Sequence, residues 1–313
     1  MAKASNFESF TFRPDPSVYI ELFNWCCGNY GKSNISIELS KEFNRKPTDQ
    51  NFEDKIESIW KQRVKELPSL FNGSKFRLQS ACLENGQLNL RVGLTCYRDF
   101  ICTNMNKREC EFLREWGRVH YDDPHACFAD PVGVNALLVS RDEKFVFVRR
   151  SAEVAEAQGQ YHGPGGHPEP HVVQGMLDKG DEKELEGMNP SSVVYEFFYS
   201  IVKETRDEVN IPEDCLSWPV LIGILRNIAS SNGRPELCFL IRCSLNSEEI
   251  KQYYHQGGPE AYESTEIVFV KIKDFEQWDP SNDFRNICGQ MTVSSKASLH
   301  MYFQHQHCHH DKS

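Results

Sequence analysis

Five short apolar runs decide what this chain can fold into. They are "VNALLVS" (134–140), "FVFVRR" (145–150), "PVLIGILR" (219–226), "PELCFLIRC" (235–243) and "TEIVFVKI" (265–272). Each is strand-sized and rich in β-branched and aromatic residues. Only the polar turn "RDEK" separates the first two, and a short Asn/Ser/Gly segment separates the third from the fourth. In both pairs strand follows strand directly, and this mixture of strand–strand adjacency with helices predicts an α/β layered sandwich with a mixed sheet rather than a regularly alternating parallel fold. No run approaches the ~18–20 apolar residues that span a bilayer, so no membrane partner is expected.

Helical periodicity fills the spaces between. Phe52, Ile56, Ile59, Trp60, Val64 and Leu67 mark a helix over about 50–67. Further helices are predicted near 105–117, 247–255 and 294–304, and one from Ser191 or Ser192, as N-cap, to Asn210. The stretch "SKFRLQSACLENGQLNLRVGLTCY" (74–97) reads as two strands, the second running to Tyr97, and Asn85-Gly86 between them is a hairpin signal. Residues 171–190 read as a long polar insertion expected to be mobile. A boundary falls in "YDDPHACFADP". It divides an N-terminal α+β region (1–128) from a second domain (129–303), and the His-rich 304–313 reads as a frayed tail.

The chain carries 313 residues, a formal net charge of −10 and twelve cysteines. An acidic chain is poorly suited to track a nucleic-acid backbone. The cysteines form no zinc-type pair, and "MAKASNFESFTFRPD" holds no apolar leader segment. Reduced cysteines and a cytoplasmic or nuclear setting are therefore expected. Oligomeric state is not legible.

The chemistry concentrates in "SIVKETRDEVNI" (200–211). On a helix, Glu204 and Glu208 lie one turn apart and about 40° apart around the axis, with Asp207 about 60° to the other side. Oxygen ligands so spaced suit a hard cation such as Mg²⁺ or Mn²⁺. A solvated acidic face balanced by Lys203 and Arg206 is the alternative. The loop "GPGGHPEP" just upstream favours the cation, because its glycines let backbone approach a metal-bridged diphosphate.

Gly166 and "KETRDEVNI" resemble a Nudix box: Glu204 and Glu208 match its glutamates, Lys203 stands for its Arg, Asp207 for a Glu, and Asn210 for the closing Gly. Asn tolerates the left-handed helix end that Gly usually takes. Further segments from about residue 50 to 300, among them "SLFNGSKFRLQSA", "VGLTCYRDF", "PGGHPEP" and "GGPEAYEST", resemble the animal Nudix-type UDP-glucose pyrophosphatases. The resemblance implies a Nudix-type α/β/α sandwich and Mg²⁺-dependent hydrolysis of UDP-glucose and UDP-galactose to UMP and the hexose 1-phosphate, with Mn²⁺ as a substitute ion. It implies Glu204 and Glu208 as catalytic metal ligands. It also implies substrate contacts from Phe71, Tyr97, Arg150, Ala155, His162, His167, Glu169 and Ser294, with Phe71 and Tyr97 forming a uridine pocket. Asp207 is a candidate second-site ligand; Glu169 and Glu208 are candidates for the base. The alternatives are another Nudix substrate, such as ADP-ribose, or a non-catalytic sensor or scaffold.

Overall fold

The computed structural model describes residues 18–21, 30–68, 70–154, 157–173, 185, 187–276 and 284–310, with backbone alone for 18–21, 275–276, 284–286 and 305–310. In chain order these form β1 (Val18–Glu21), β2 (Ile35–Leu39), α1 (Gln50–Glu66), β3 (Ser74–Glu84), β4 (Gln87–Cys96), α2 (Tyr97–Cys102) and α3 (Cys110–Tyr121). There follow β5 (Gly133–Val139), β6 (Lys144–Arg150), β7 (Tyr161–His162), β8 (Gly165–Gly166), α4 (Pro170–Val173) and α5 (Pro190–Val209). The rest is β9 (Val220–Asn227), α6 (Ile228–Ser231), β10 (Arg234–Arg242), α7 (Ser247–Gln256), β11 (Ser264–Lys271), α8 (Ile272–Glu276), α9 (Phe284–Gly289) and α10 (Val293–His310).

All five apolar runs are strands of one mixed sheet, ordered β1-β9-β10-β5-β6-β11, with β7 on β6 and β8 on β5. Only β10 and β5 run parallel within it. Every residue of β5 is buried, as a central strand covered on both faces requires. The pleat sends Val134, Ala136 and Leu138 toward one core cluster and Leu137 and Val139 toward the other. The first cluster is filled by Phe197, Phe198 and Ile201 of α5, the second by Ala297, Leu299, Met301 and Phe303 of α10. This is the expected α/β/α arrangement. Each such buried Val, Leu, Ile, Phe or Met side chain contributes about 1.5–3 kcal/mol.

A second, three-stranded sheet (β2-β4-β3) packs its apolar face on the same cluster as α5. Its hairpin turns at Asn85 and Gly86, both at positive φ (51° and 78°), as predicted. Two local readings change. The strand expected to include Tyr97 ends at Cys96, and Tyr97 opens α2. The helix expected at 105–117 is α3, displaced to Cys110–Tyr121 and closed by Asp122 in the left-handed region.

The N-cap of helix α5 lies two or three residues earlier than expected. Asn189, not a serine, is the N-cap, its side chain accepting from Ser191 N at 2.9 Å, with Pro190 at the first helical position where its missing N–H costs nothing. At the other end Asn210 takes φ 59° and ψ 35°, the left-handed cap predicted for it. The insertion is not wholly loose polar chain: Leu185 and Met188, two of its apolar residues, are buried in the first cluster. Most of the rest of it lies outside the described residues. Helix α10 continues past the expected end near 304 to His310, because nothing in that run breaks a helix. Among the described residues no helix is long and apolar enough to cross a membrane.

A buried charged network joins the smaller sheet to the larger. Arg77 of β3, 1% exposed, donates to the carbonyls of Phe43, His125 and Phe128. Asp130 is fully buried against Arg226 of β9 (2.9 Å), His125 (3.0 Å) and the Asn104 amide (2.8 Å). Burial alone would raise the Asp130 pKa, but His125 and Arg226 overcome it and hold the carboxyl well below the usual range. Asp130→Asn should destabilise by about 3–5 kcal/mol in denaturant unfolding, since buried cations lose their counter-charge. The depressed pKa makes this stability fully present above the unfolded value near 4 and lost as pH falls below it. Wild-type stability should therefore drop more steeply below pH 4 than that of the variant, and equal acid profiles would refute the assignment.

Candidate active site

Helix α5 carries the acids and two loops close over them. Glu204, Glu208 and Glu260 each offer a carboxylate oxygen, and the three oxygens lie within 4.8 Å of one another. Glu208 is 3% exposed. Its Oε1 accepts from Gly165 N at 3.2 Å, while its Oε2 is buried with no hydrogen-bond partner. Glu260 enters on the loop after α7. That loop lies against the end of α5: Glu260 N donates to Asp207 O at 3.4 Å, and a Cβ at Gly258 would sit 2.9 Å from that same carbonyl. Asn210 pins the approach, its side-chain amide donating to Tyr253 O at 2.7 Å.

Like charges this close, partly out of water, resist ionisation. Burial first, then the neighbouring Glu260 carboxylate, pushes Glu204 up to about 8. Burial drives Glu208 well above the carboxylate range, with Glu204 adding to it and the Gly165 N–H opposing it. Burial and Glu263 raise Glu260. A divalent cation removes all three costs and supplies the partner that Glu208 Oε2 lacks, so these residues fit one.

The sign of the pH effect follows. A carboxylate with a raised folded pKa favours the native state fully below the unfolded value near 4.3, and that contribution is lost as pH rises through the folded pKa. Metal-free protein should therefore melt at a lower temperature at pH 8 than at pH 5.5. Added Mg²⁺ should raise the melting temperature more at pH 8, where the ligands are free of protons, contributing about 2.7 kcal/mol at a hundred times Kd. Equal Mg²⁺ shifts at both pH values would contradict the cluster.

The glycine loop borders the same acids. A Cβ at Gly166 would lie 2.1 Å from Glu204 Oε1. Glu169 N donates to Glu196 Oε1 at 3.0 Å, so α5 also holds the loop about two turns nearer its start. The Glu169 side chain meets Lys75 of β3 (3.7 Å) and His171 (3.2 Å), which ties the smaller sheet to the loop. His162 on β7 lies between Arg150 (3.5 Å) and Glu208 Oε2 (3.8 Å). Burial and Arg150 push its pKa down to about 3, so the approach to Glu208 is that of a neutral ring and not a salt bridge. His167 is likewise driven well below the usual imidazole range by burial, then by Arg234 and Lys75.

The structure thus brings Glu204, Glu208, His162 and Arg150 together. Glu169, tied through its own amide and side chain, borders them. Ser294 lies half-buried on the first turn of α10, one residue from Ser295, whose hydroxyl accepts from Gly163 N at 3.2 Å. Phe71 and Tyr97 stand on the smaller sheet's side: Tyr97 is half-buried against Trp60 and Phe100, and Phe71 is 76% exposed. An aromatic ring that exposed is no core residue. Ala155 lies outside the described residues. Asp207 faces another way, both its oxygens engaged by Arg206 at 2.7 and 3.1 Å rather than by Lys203. Glu260 is missing from the sequence-based set; its one local signal is the turn "GGP" before an acid.

Comparison with known proteins gives close relatives. The chain is 39% identical over 297 residues to the mouse (Mus musculus) protein named uridine diphosphate glucose pyrophosphatase NUDT22, covering 93% of this chain and 92% of that protein. The human (Homo sapiens) protein of that name is 39% identical over 293 residues, 92% and 93% of the two chains. Nudix hydrolase 9 of Arabidopsis thaliana is 34% identical over 281 residues, 84% and 86% of the two. Among solved structures, the MutT protein from Methanosarcina mazei aligns with 56% of this chain and 94% of that chain at 12% identity and a TM-score of 0.32. No family model matches the chain.

Proposed function

Because the chain belongs to the Nudix hydrolases, alongside the uridine diphosphate glucose pyrophosphatases, we propose that it hydrolyses UDP-glucose and UDP-galactose to UMP and the hexose 1-phosphate. The observation that carries the chemistry is the cluster of Glu204, Glu208 and Glu260 beside the glycine loop, with Glu208 Oε2 buried and unsatisfied. Nudix hydrolases generally use a divalent metal, and we assign Mg²⁺ here, held by these three carboxylates, with Mn²⁺ able to replace it. Bound there, the ion would supply charge neutralisation for the phosphates and a more acidic water for attack.

The protein's own groups do the rest. Gly165 and Gly166 leave the space that Val134 O and the Glu204 carboxylate fill, so the loop backbone lies directly on the acids that hold the ion. Arg150 supplies a guanidinium fork for phosphate oxygens, and neutral His162 beside it can hydrogen-bond without adding charge. His167 and Glu169 within the same loop, and Ser294 beside it, orient the sugar diphosphate. Phe71 and Tyr97 offer ring faces for the uracil.

Stacking on a base remote from the reacting phosphorus is felt equally in ground and transition states. Phe71→Ala and Tyr97→Ala should therefore raise KM, each by about 1–3 kcal/mol in binding, with kcat little changed. A collapse of thermal stability in Phe71→Ala would place that ring in the core instead. The proposal itself is tested by incubating the protein and Mg²⁺ with UDP-glucose, UDP-galactose, ADP-glucose and ADP-ribose and resolving the products by chromatography. UMP and hexose 1-phosphate should form from the two uridine substrates and little from the adenine ones. Equal rates on both classes would overturn the base selectivity, and no turnover of any substrate would leave a sensor or scaffold role.

A further inference from the structure

Phe71 is the most exposed large apolar side chain among the described residues. Its ring nevertheless has a fixed address. Phe71, Asn72 and Gly73 form a tight turn, Gly73 N donating to Phe71 O at 3.2 Å. That turn caps α2 from outside. The N-cap residue Cys96 contributes no side-chain bond to the helix start. Instead Gly73 O accepts from Tyr97 N at 2.9 Å, and Asn72 Oδ1 accepts from Arg98 N at 2.8 Å. Two amides that a helix start leaves without intrahelical partners are thereby satisfied. The same bonds fasten the turn that carries Phe71 to the residue that carries the Tyr97 ring. Tyr97 is held in turn by the edge of Trp60, at 6.4 Å and 85°.

Gly73 is constrained by space rather than by backbone. It has no positive φ, yet a Cβ there would meet Phe71 Cε2 at 3.1 Å and Cζ at 3.7 Å, so the ring lies across the glycine. Being exposed, the ring would give way before the backbone did. Two residues further on, Lys75 reaches Glu169 of the glycine loop at 3.7 Å, which anchors this corner to the catalytic side.

We infer that Asn72 and Gly73 are positioning residues for pyrimidine recognition, coupling the Phe71 and Tyr97 rings into one preformed receptor for the base. The inference rests on the uridine reading above and adds its mechanical basis. Preorganised rings lose little on binding, so loosening them costs affinity rather than chemistry.

The test is a cycle of variants assayed with UDP-glucose and saturating Mg²⁺, with melting temperatures measured alongside. Gly73→Ala should raise KM about fivefold or more and leave kcat within about twofold. Placed on Phe71→Ala, it should add little, because the ring it displaces is already gone. Asn72→Ala should raise KM by about three- to tenfold, and Asn72→Asp, which keeps the accepting oxygen, should restore it. A full KM increase from Gly73→Ala in the Phe71→Ala background, or equal losses in kcat, would overturn the positioning role. If Phe71→Ala raises KM while Gly73→Ala and Asn72→Ala do not, this inference fails and the uridine reading stands. If Phe71→Ala leaves KM unchanged, both fail.

Discussion

Glu204→Gln and Glu208→Gln should each cut the turnover of UDP-glucose by on the order of 10²–10³-fold, with the fold intact. The glutamine keeps the shape of either side chain. At position 208 its amide oxygen can still accept from Gly165 N, the one bond Glu208 makes there. What is lost is a negative oxygen in a cluster of three within 4.8 Å. Weaker Mg²⁺ binding and weaker charge compensation both follow. Metal-free stability should be unchanged or higher near neutral pH, because burial and mutual repulsion raise both carboxyls. The two variants should also lose the pH-dependent Mg²⁺ stabilisation. Normal turnover at saturating Mg²⁺ in either would remove that carboxylate from the metal site.

Gly166→Ala should reduce activity on a similar scale, about 10²-fold, through one methyl group. Gly166 has no positive φ, so alanine meets no backbone strain. It meets the Glu204 carboxylate instead, with Cβ 2.1 Å from Oε1 and 2.3 Å from Cδ. Either the carboxylate swings out of the cluster or the loop lifts, and both misplace ligand and diphosphate. Residues that act as a unit are strongly non-additive. Gly166→Ala combined with Glu204→Gln should therefore be little worse than Glu204→Gln alone. Two multiplying losses would mean that Gly166 acts somewhere other than on Glu204.

The sequence made the large sheet legible because its strands are short, strongly apolar and separated by polar turns. Asn85-Gly86 and Asn210 were legible because few residues other than Gly and Asn accept a positive φ readily. Glu204 and Glu208 could be paired because helix geometry relates residues one turn apart. Glu260 could not be, since its place depends on α7 packing against the end of α5, a tertiary contact with no sequence period. Tyr97 read as a strand residue because β-branched and aromatic neighbours continue the pattern up to it; the helix start is fixed by capping from Asn72 and Gly73, far away in sequence. The Asn189 cap was missed for a smaller reason: the serines after Pro190 are good caps in isolation, but proline at the first helical position puts the cap on the residue just before it. Asp207 shows that local spacing can mislead, as its adjacent Arg206 engages both its oxygens.

We place the metal centre of the proposed UDP-sugar hydrolase at Glu204, Glu208 and Glu260. Crystals soaked in Mn²⁺ and measured at the manganese absorption edge test it most directly. An anomalous peak among these three carboxylates, absent from Glu208→Gln crystals treated identically, is the predicted result. A peak elsewhere with none between these carboxylates, or one that persists unchanged in Glu208→Gln, would contradict it.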